Sequence, residues 1–291
     1  MRGILVVMAL GLCPALATAQ TALAWKFKAG DVVRYERIAK DKQATDIKGQ
    51  ILKQDVQSTW VYRFETLQAK DDMATLQVTI EQVSVQHAIA PAKLENKFLE
   101  KLKGAVFTVN VTSTGEITSL SGYDKALAQM ADKRDDLAKA LKQQIPEAAL
   151  RYEIQQTLAM LPKQSVTVGA RWQFEGLALP TPPLGRFLVT LNADHASTDR
   201  AGHQHLDGIL TGKFERPDPP AEFFRVVGGN LSLERGNWSC IFDNDRGLAL
   251  SQTLTLEMKG ELTVEIVGTT APVGIVLRRD VTTRLLPRGK E

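Results

Sequence analysis

Hydrophobic and polar residues alternate along most of this chain. Trp60, Tyr62 and Phe64 fall on every second position, which places three rings on one face of a strand. Ala74, Leu76, Val78 and Ile80 alternate in the same way, and the pattern resumes out of phase at Val83 and Val85. A one-residue slip inside a strand predicts a β-bulge. Phe107, Val109 and Val111 form another strand, turned by Ser113-Thr114-Gly115. Further upstream, Trp25 to Tyr35 reads as two strand-like runs about a turn at Gly30-Asp31.

The period changes in the middle. From Ser121 to Leu161 it is helical: Leu127, Met130, Leu137, Leu141 and Ile145 recur at spacings that share one face. Ser121 and Asp124 read as a variant capping box. Pro146 stops or kinks this helix and suits the first turn of a second, striped by Ile154, Leu158 and Leu161 and ended by Pro162. A shorter helix is expected from Lys93 to Leu102, with Leu94, Phe98 and Leu102 stacked.

After Pro162 the period returns to two. Val166, Val168 and Trp172 open this region, and Phe187, Val189 and Leu191 alternate. Leu254, Leu256 and Met258, then Leu262, Val264 and Ile266, read as a hairpin turning at Lys259-Gly260. The last strand is expected near Ile275 to Leu286. Pro180 to Pro183 and Pro217 to Pro220 read as loops, because proline cannot donate to a sheet ladder. Two short echoes suggest an internal duplication. Lys28-Ala29-Gly30 leading to Arg34-Tyr35 is echoed by Thr167-Val168-Gly169 leading to Arg171-Trp172. Gly115-Glu116-Ile117 with Leu120 is echoed by Gly247-Leu248 with Leu250.

The expected architecture is α+β and mainly antiparallel β. Two β-meander regions, curved sheets or half-barrels, flank a central helical segment. The expected boundaries are a signal peptide at 1–19, an N-terminal meander at 20–120, the helical segment at 121–162 and a C-terminal meander at 163–291. The signal peptide rests on a positive Arg2, a short apolar run from Ile4 to Leu12, and the small-x-small cleavage pattern Ala17-Thr18-Ala19. That run is too short to span a bilayer, which takes about 20 apolar residues. The mature chain is therefore expected to start near Gln20, to be periplasmic or extracellular, and to lack a transmembrane span. Cys13 is the alternative signal, a lipid attachment site, but Leu12 stands where a lipobox takes a small residue.

Composition changes this picture little. With 44% hydrophobic and 24% charged residues the chain is ordinary globular protein rather than disordered. Its net charge of +3 comes from interleaved acids and bases, which argues against a nucleic-acid partner. Beyond Cys13 the only cysteine is Cys240, so no internal disulfide forms in the mature chain, and Cys240 between Trp238 and Phe242 reads as a buried apolar thiol.

Candidate chemistry is sparse. His203 and His205 stand two apart and share a face of a strand, and His195 precedes a turn near Arg200 that would set it across from His205. Three converging imidazoles suit zinc or copper, with Asp194 or Asp207 as an oxygen ligand. The plainer reading is a polar hairpin tip. No serine sits in a nucleophile-elbow pattern, and Cys240 has no histidine close in sequence. Asp71-Asp72 and Asp135-Asp136 read as solvated charge, and Gly228-Gly229-Asn230 as a turn rather than a phosphate loop. Sequons begin at Asn110, Asn230 and Asn237, and bear on the protein only where its source glycosylates exported chains.

The opening Trp25-Lys26-Phe27-Lys28-Ala29-Gly30-Asp31-Val32-Val33-Arg34-Tyr35 resembles the start of a group of exported bacterial proteins of unknown function. Pro162, Val166, Val168, Gly169 and Trp172 match that group's order after its central helix, and Phe242-Asp243 followed by Gly247, Leu248 and Ser251 matches its close. Ala170 stands where an acidic residue is common there. The resemblance implies export and a β-rich fold and carries over no functional residue and no cofactor. The arrangement is also similar to that of periplasmic lipoprotein carriers, in which a curved sheet shelters an apolar cavity. The function expected is a non-enzymatic envelope protein that binds an apolar ligand, such as a lipid, or a protein partner. The alternatives are a metal-dependent enzyme or metal-binding protein using His195, His203 and His205, and a structural surface protein.

Overall fold

A computed structural model describes residues 20–89, 92–95, 99–132, 134–181, 184–216, 224–266 and 268–287. The signal-peptide reading at 1–19 and the loop at Pro217 to Pro220 lie outside the described residues.

The chain is mostly antiparallel strand. The N-terminal part holds β1 (Val32–Ile47), β2 (Gln50–Lys70), β3 (Met73–Ile89), β4 (Ala92–Glu95), β5 (Val106–Thr112) and β6 (Ile117–Ser121). Three helices follow, α1 (Tyr123–Met130), α2 (Asp135–Gln144) and α3 (Glu147–Gln155). The C-terminal part holds β7 (Arg171–Thr181), β8 (Gly185–Thr198), β9 (Gln204–Glu215), β10 (Phe224–Asp243), β11 (Leu248–Ile266) and β12 (Thr269–Leu285). The two meanders share one sheet, in the order β6-β5-β3-β2-β1-β12-β11-β10-β9-β8-β7, with β4 paired to β3 off this path. The seam is the β1–β12 pair, which runs unbroken from Tyr35↔Leu285 to Ile47↔Val273.

The helical segment links the two outermost strands, β6 and β7, and α3 packs against both. The sheet must therefore curl until its edges stand one helix apart. Gln155 fixes the β6 side: its Oε1 accepts from the Ile117 amide at 2.7 Å and its Nε2 donates to the Gly115 carbonyl at 2.7 Å. Alternation then assigns faces. Tyr35, Arg37 and Ala39 on β1, Leu256, Met258, Leu262 and Val264 on β11, and Phe187, Val189 and Leu191 on β8 are buried inside the curl. Their neighbours in sequence face solvent or are only half buried, the pattern of an antiparallel sheet with one wet face.

The bulge read from the slip after Ile80 is present. Val61 pairs with Gln82 and Tyr62 with Ile80, so Glu81 is the extra residue, and its carboxylate accepts from Arg34 Nε at 3.0 Å.

Several expectations change. The helical segment is smaller than its period suggests. The first expected helix breaks between Met130 and Asp135, where Asp132 adopts φ 49° and ion-pairs with Lys101 at 2.6 Å. Ser121 ends β6 rather than capping a helix, and its hydroxyl donates to the Thr108 carbonyl. The α1 N-cap is Gly122. The second helix ends at Gln155, and Leu158 and Leu161 are buried in the turns beyond it. In place of a helix from Lys93 to Leu102 there are β4 and a single 3-10 turn, Leu99–Leu102. Lys259-Gly260 is no turn: β11 runs straight through, and Gly260 pairs with Leu231 on one side and Ile275 on the other. A Cβ at Gly260 would collide with the Asn230 carbonyl oxygen, so glycine is there for close strand approach.

Candidate functional site

The inner face of the curl does not fill completely. A cavity of about 600 Å³ lies between α3 and the concave face of β7 to β12. Its walls are apolar: Leu177 on β7, Val189 and Leu191 on β8, Leu210 on β9, Trp238 on β10, Leu254 on β11 and Val281 on β12. Each points inward because it keeps phase with a buried neighbour two residues away, as Leu254 does with Leu256. The mouth carries Glu116, Glu147, Arg151 and Glu175, all exposed.

The roof is α3 and the turns after it, held by polar side chains of the sheet and of the segment before β1. Arg37, 1% exposed, ion-pairs with Glu153 at 2.6 Å, and its Nη2 donates to Gln156 Oε1 at 2.7 Å. Gln252 Nε2 donates to the Thr157 carbonyl at 3.0 Å, and Trp25 Nε1 donates to the Ala159 carbonyl at 2.9 Å. Arg279 and Asp41, directly paired across β12 and β1, form a two-pronged ion pair at 2.7 and 2.9 Å. Burial opposes the Arg279 charge, but the hydrogen bond and charge of Asp41, with help from Glu153, raise its pKa above the ordinary value. Burial pushes the Tyr152 hydroxyl, on the cavity roof, well above the usual phenol range.

A second cavity of about 320 Å³ lies at the N-terminal end of the core. Trp25, Phe27, Tyr35, Phe64 and Leu248 line it, with Lys26, Lys28 and Arg246 among its charged groups. Trp25 and Phe27 stack at 5.9 Å with 6° between their planes. Gly115 makes room at this end: it holds φ 86°, and a Cβ there would collide with the Ala159 carbonyl and crowd the Trp25 indole.

The three histidines do not converge. The structure pairs His195 with Leu206 and Ser197 with His205, because a bulge at Ala196 adds one residue to β8. His195 is thereby buried inside the curl, with Nε2 3.4 Å from Thr198 Oγ1. His203 Nδ1 and His205 Nε2 lie 3.2 and 3.4 Å from Asp199 Oδ2 on the hairpin, each only partly buried. Asp194 pairs across from Asp207. Burial is the largest single influence on Asp199 and raises its pKa, but bonds from the His203 amide, the His205 imidazole, the Ala201 amide and the His203 imidazole together hold the carboxyl below its ordinary value. Among the described residues no group of three or more His, Cys, Asp or Glu side chains is arranged to hold a metal ion. Cys240 is buried, and burial pushes its thiol far above the ordinary range.

The cavity residues themselves escaped sequence reasoning. Leu177, Leu210, Trp238 and Val281 come from separate strands, and no local pattern marks them as neighbours. The one available signal was the inward phase of each strand.

Fold and cavities together define a curled antiparallel sheet with an apolar interior partly closed by a helix. Residues 59–178 match a family described as "Family of unknown function (DUF6263)", in keeping with the likeness to a family without a known activity. No curated protein matches the chain. Among solved structures, a chain from "Lipid-protein interactions in lipovitellin" is similar with TM-score 0.47 and 13% identity, over 91% of this chain and 26% of that one. This chain thus spans about a quarter of the lipovitellin chain's length. OccK5 (OpdH) of Pseudomonas aeruginosa is similar with TM-score 0.29 and 8% identity, over 88% and 99%. The translocator domain of the autotransporter NalP from Neisseria meningitidis gives TM-score 0.23 and 9% identity, over 89% of each chain. These scores are too low to establish a shared fold. No helix among the described residues is long and apolar enough to cross a membrane.

Proposed function

We propose that this is an exported, non-enzymatic binding protein of the cell envelope, and that it shelters an apolar ligand in the cavity beneath α3. The observation that carries this reading is the cavity itself. Its volume of about 600 Å³ falls within the roughly 300–1,000 Å³ typical of small-molecule sites. Its walls come from six strands and are mainly apolar, while Gln156 Oε1 and the Thr157 carbonyl on its roof are engaged in holding α3 and the turns after it to the sheet. The export signal read at 1–19 supports the envelope assignment.

The test is binding of N-phenyl-1-naphthylamine, whose fluorescence rises in apolar surroundings, together with native mass spectrometry of protein purified without detergent. The expected result is saturable binding at one site and a co-purifying mass released by organic solvent. A bare polypeptide mass with no saturable probe binding overturns the proposal.

A further inference from the structure

The two cavities have one wall in common, and that wall is Leu158. It lines both the 600 Å³ cavity beneath α3 and the 320 Å³ aromatic cavity. The segment that carries it, Gln156 to Ala159, crosses the interior between them. Its backbone is tied on both sides: the Thr157 carbonyl accepts from Gln252 and the Ala159 carbonyl accepts from Trp25. The Gln156 side chain is held by Arg37. Leu158 itself is 4% exposed and has only an apolar side chain to offer its surroundings. In a partition whose backbone is fixed, the isobutyl group is the part free to change rotamer.

Building on the cavity reading, we infer that Leu158 determines ligand length: the cavities form one elongated site for a long-chain uncharged lipid, closed part-way by the Leu158 side chain. The polar rim of the larger cavity favours an uncharged ligand. Glu116, Glu147 and Glu175 oppose one Arg151 there, and none of the four is ion-paired among the described residues. A fatty-acid carboxylate would meet like charge at that mouth. Beyond the partition, Trp25, Tyr35, Phe64 and Leu76 offer apolar contacts for the chain end, in a second chamber that Lys26, Lys28, Asp31, Asp245 and Arg246 also line.

The experiment is displacement of N-phenyl-1-naphthylamine by a homologous series of 1-monoacylglycerols, from eight to twenty carbons. Each methylene that enters apolar surroundings strengthens binding by about fourfold, and the gain stops when the chain outgrows its chamber. The wild-type series is expected to level off at a defined length, and Leu158→Ala to move that length upward by several carbons. Leu158→Val, which disturbs packing less, is expected to move it in the same direction by a smaller step and serves if the alanine variant does not fold. An unchanged break point in a folded variant, or equal loss of affinity at every length, overturns the inference and leaves the cavity reading standing. Failure of the wild-type protein to bind the probe or any member of the series overturns both. Palmitate binding as tightly as monopalmitoylglycerol overturns the uncharged-ligand part.

Discussion

The guanidinium of Arg37 on β1 meets the carboxylate of Glu153 on α3 at 2.6 Å, inside the curl of the sheet. Arg37 is almost wholly removed from water, whereas the Glu153 side chain keeps 26% of its exposure. The contact joins the middle of the sheet to the helix that spans its edges. Glu153→Gln is expected to leave a buried cation short of its counter-charge. Breaking a fully buried pair costs about 3–5 kcal/mol, and the partial exposure of Glu153 and the bonds to Gln156 reduce the expectation to about 2–3 kcal/mol. Urea denaturation of the two proteins measures it. Replacing both partners, as Arg37→Met with Glu153→Leu, is expected to recover most of the loss.

Two buried tyrosines make opposite forecasts. The Tyr35 hydroxyl donates to the Ala249 carbonyl at 2.9 Å, while the Tyr62 hydroxyl is buried without a hydrogen-bond partner among the described residues. Tyr35→Phe strands a buried carbonyl and is expected to cost about 1–3 kcal/mol. Tyr62→Phe removes an unsatisfied polar atom and is expected to be neutral or stabilising by up to about 1 kcal/mol. Thermal unfolding of both variants decides, and a large loss for Tyr62→Phe would mean that its hydroxyl has a partner after all.

Filling the cavity should abolish binding without unfolding the protein. Val189 is buried on β8 and faces the space beneath α3. Val189→Trp is expected to weaken probe binding by at least about tenfold, equivalent to about 1.4 kcal/mol, while circular dichroism stays unchanged. Wild-type affinity in this variant would place the bound probe elsewhere.

Burial raises the pKa of Cys240 in the folded state. Above the unfolded thiol value of about 8.5, the unfolded chain loses a proton that the native chain keeps. Stability from this group is therefore intact below pH ~8.5 and falls above it, by up to about 1.4 kcal/mol per pH unit. Cys240→Ala is expected to flatten the decline between pH ~8.5 and ~10, before the tyrosines of the unfolded chain ionise. The same burial should protect the thiol from Ellman's reagent until the protein unfolds.

Legibility in the sequence followed the range of the interactions involved. The slip between Ile80 and Val83 announced a bulge because phase is a local property. Gly260 misled because a glycine signals both a turn and a close approach, and only the neighbouring strand distinguishes them. The inward phase from Leu254 through Val264 is unbroken, and that continuity was the better guide. The histidine register failed by one residue, since nothing in the run His195-Ala196-Ser197 marks the bulge that turns His195 inward and leaves His205 outside. The helical period of 121–162 was real for most of its buried positions, but Asp132 breaks the run through a tertiary bond to Lys101. A sheltered apolar cavity was expected from the curved sheet, but its lining was not legible, because the cavity exists only where distant strands fail to touch, and nothing local marked Leu158 as bordering two cavities.

The β1–β12 seam has a kinetic consequence. The first and last long strands of the sheet are mutual partners, so the joint between the two meanders closes only when nearly the whole chain is available. Contacts so far apart in sequence fold slowly, because loop closure comes before the contacts that reward it. Until then β1 and β11 each present an unpaired flank, the kind of surface on which chains aggregate. A chain that emerges one end first would hold β1 open for most of its emergence, and escort by a chaperone until residue 285 is free would shorten its exposure to wrong partners.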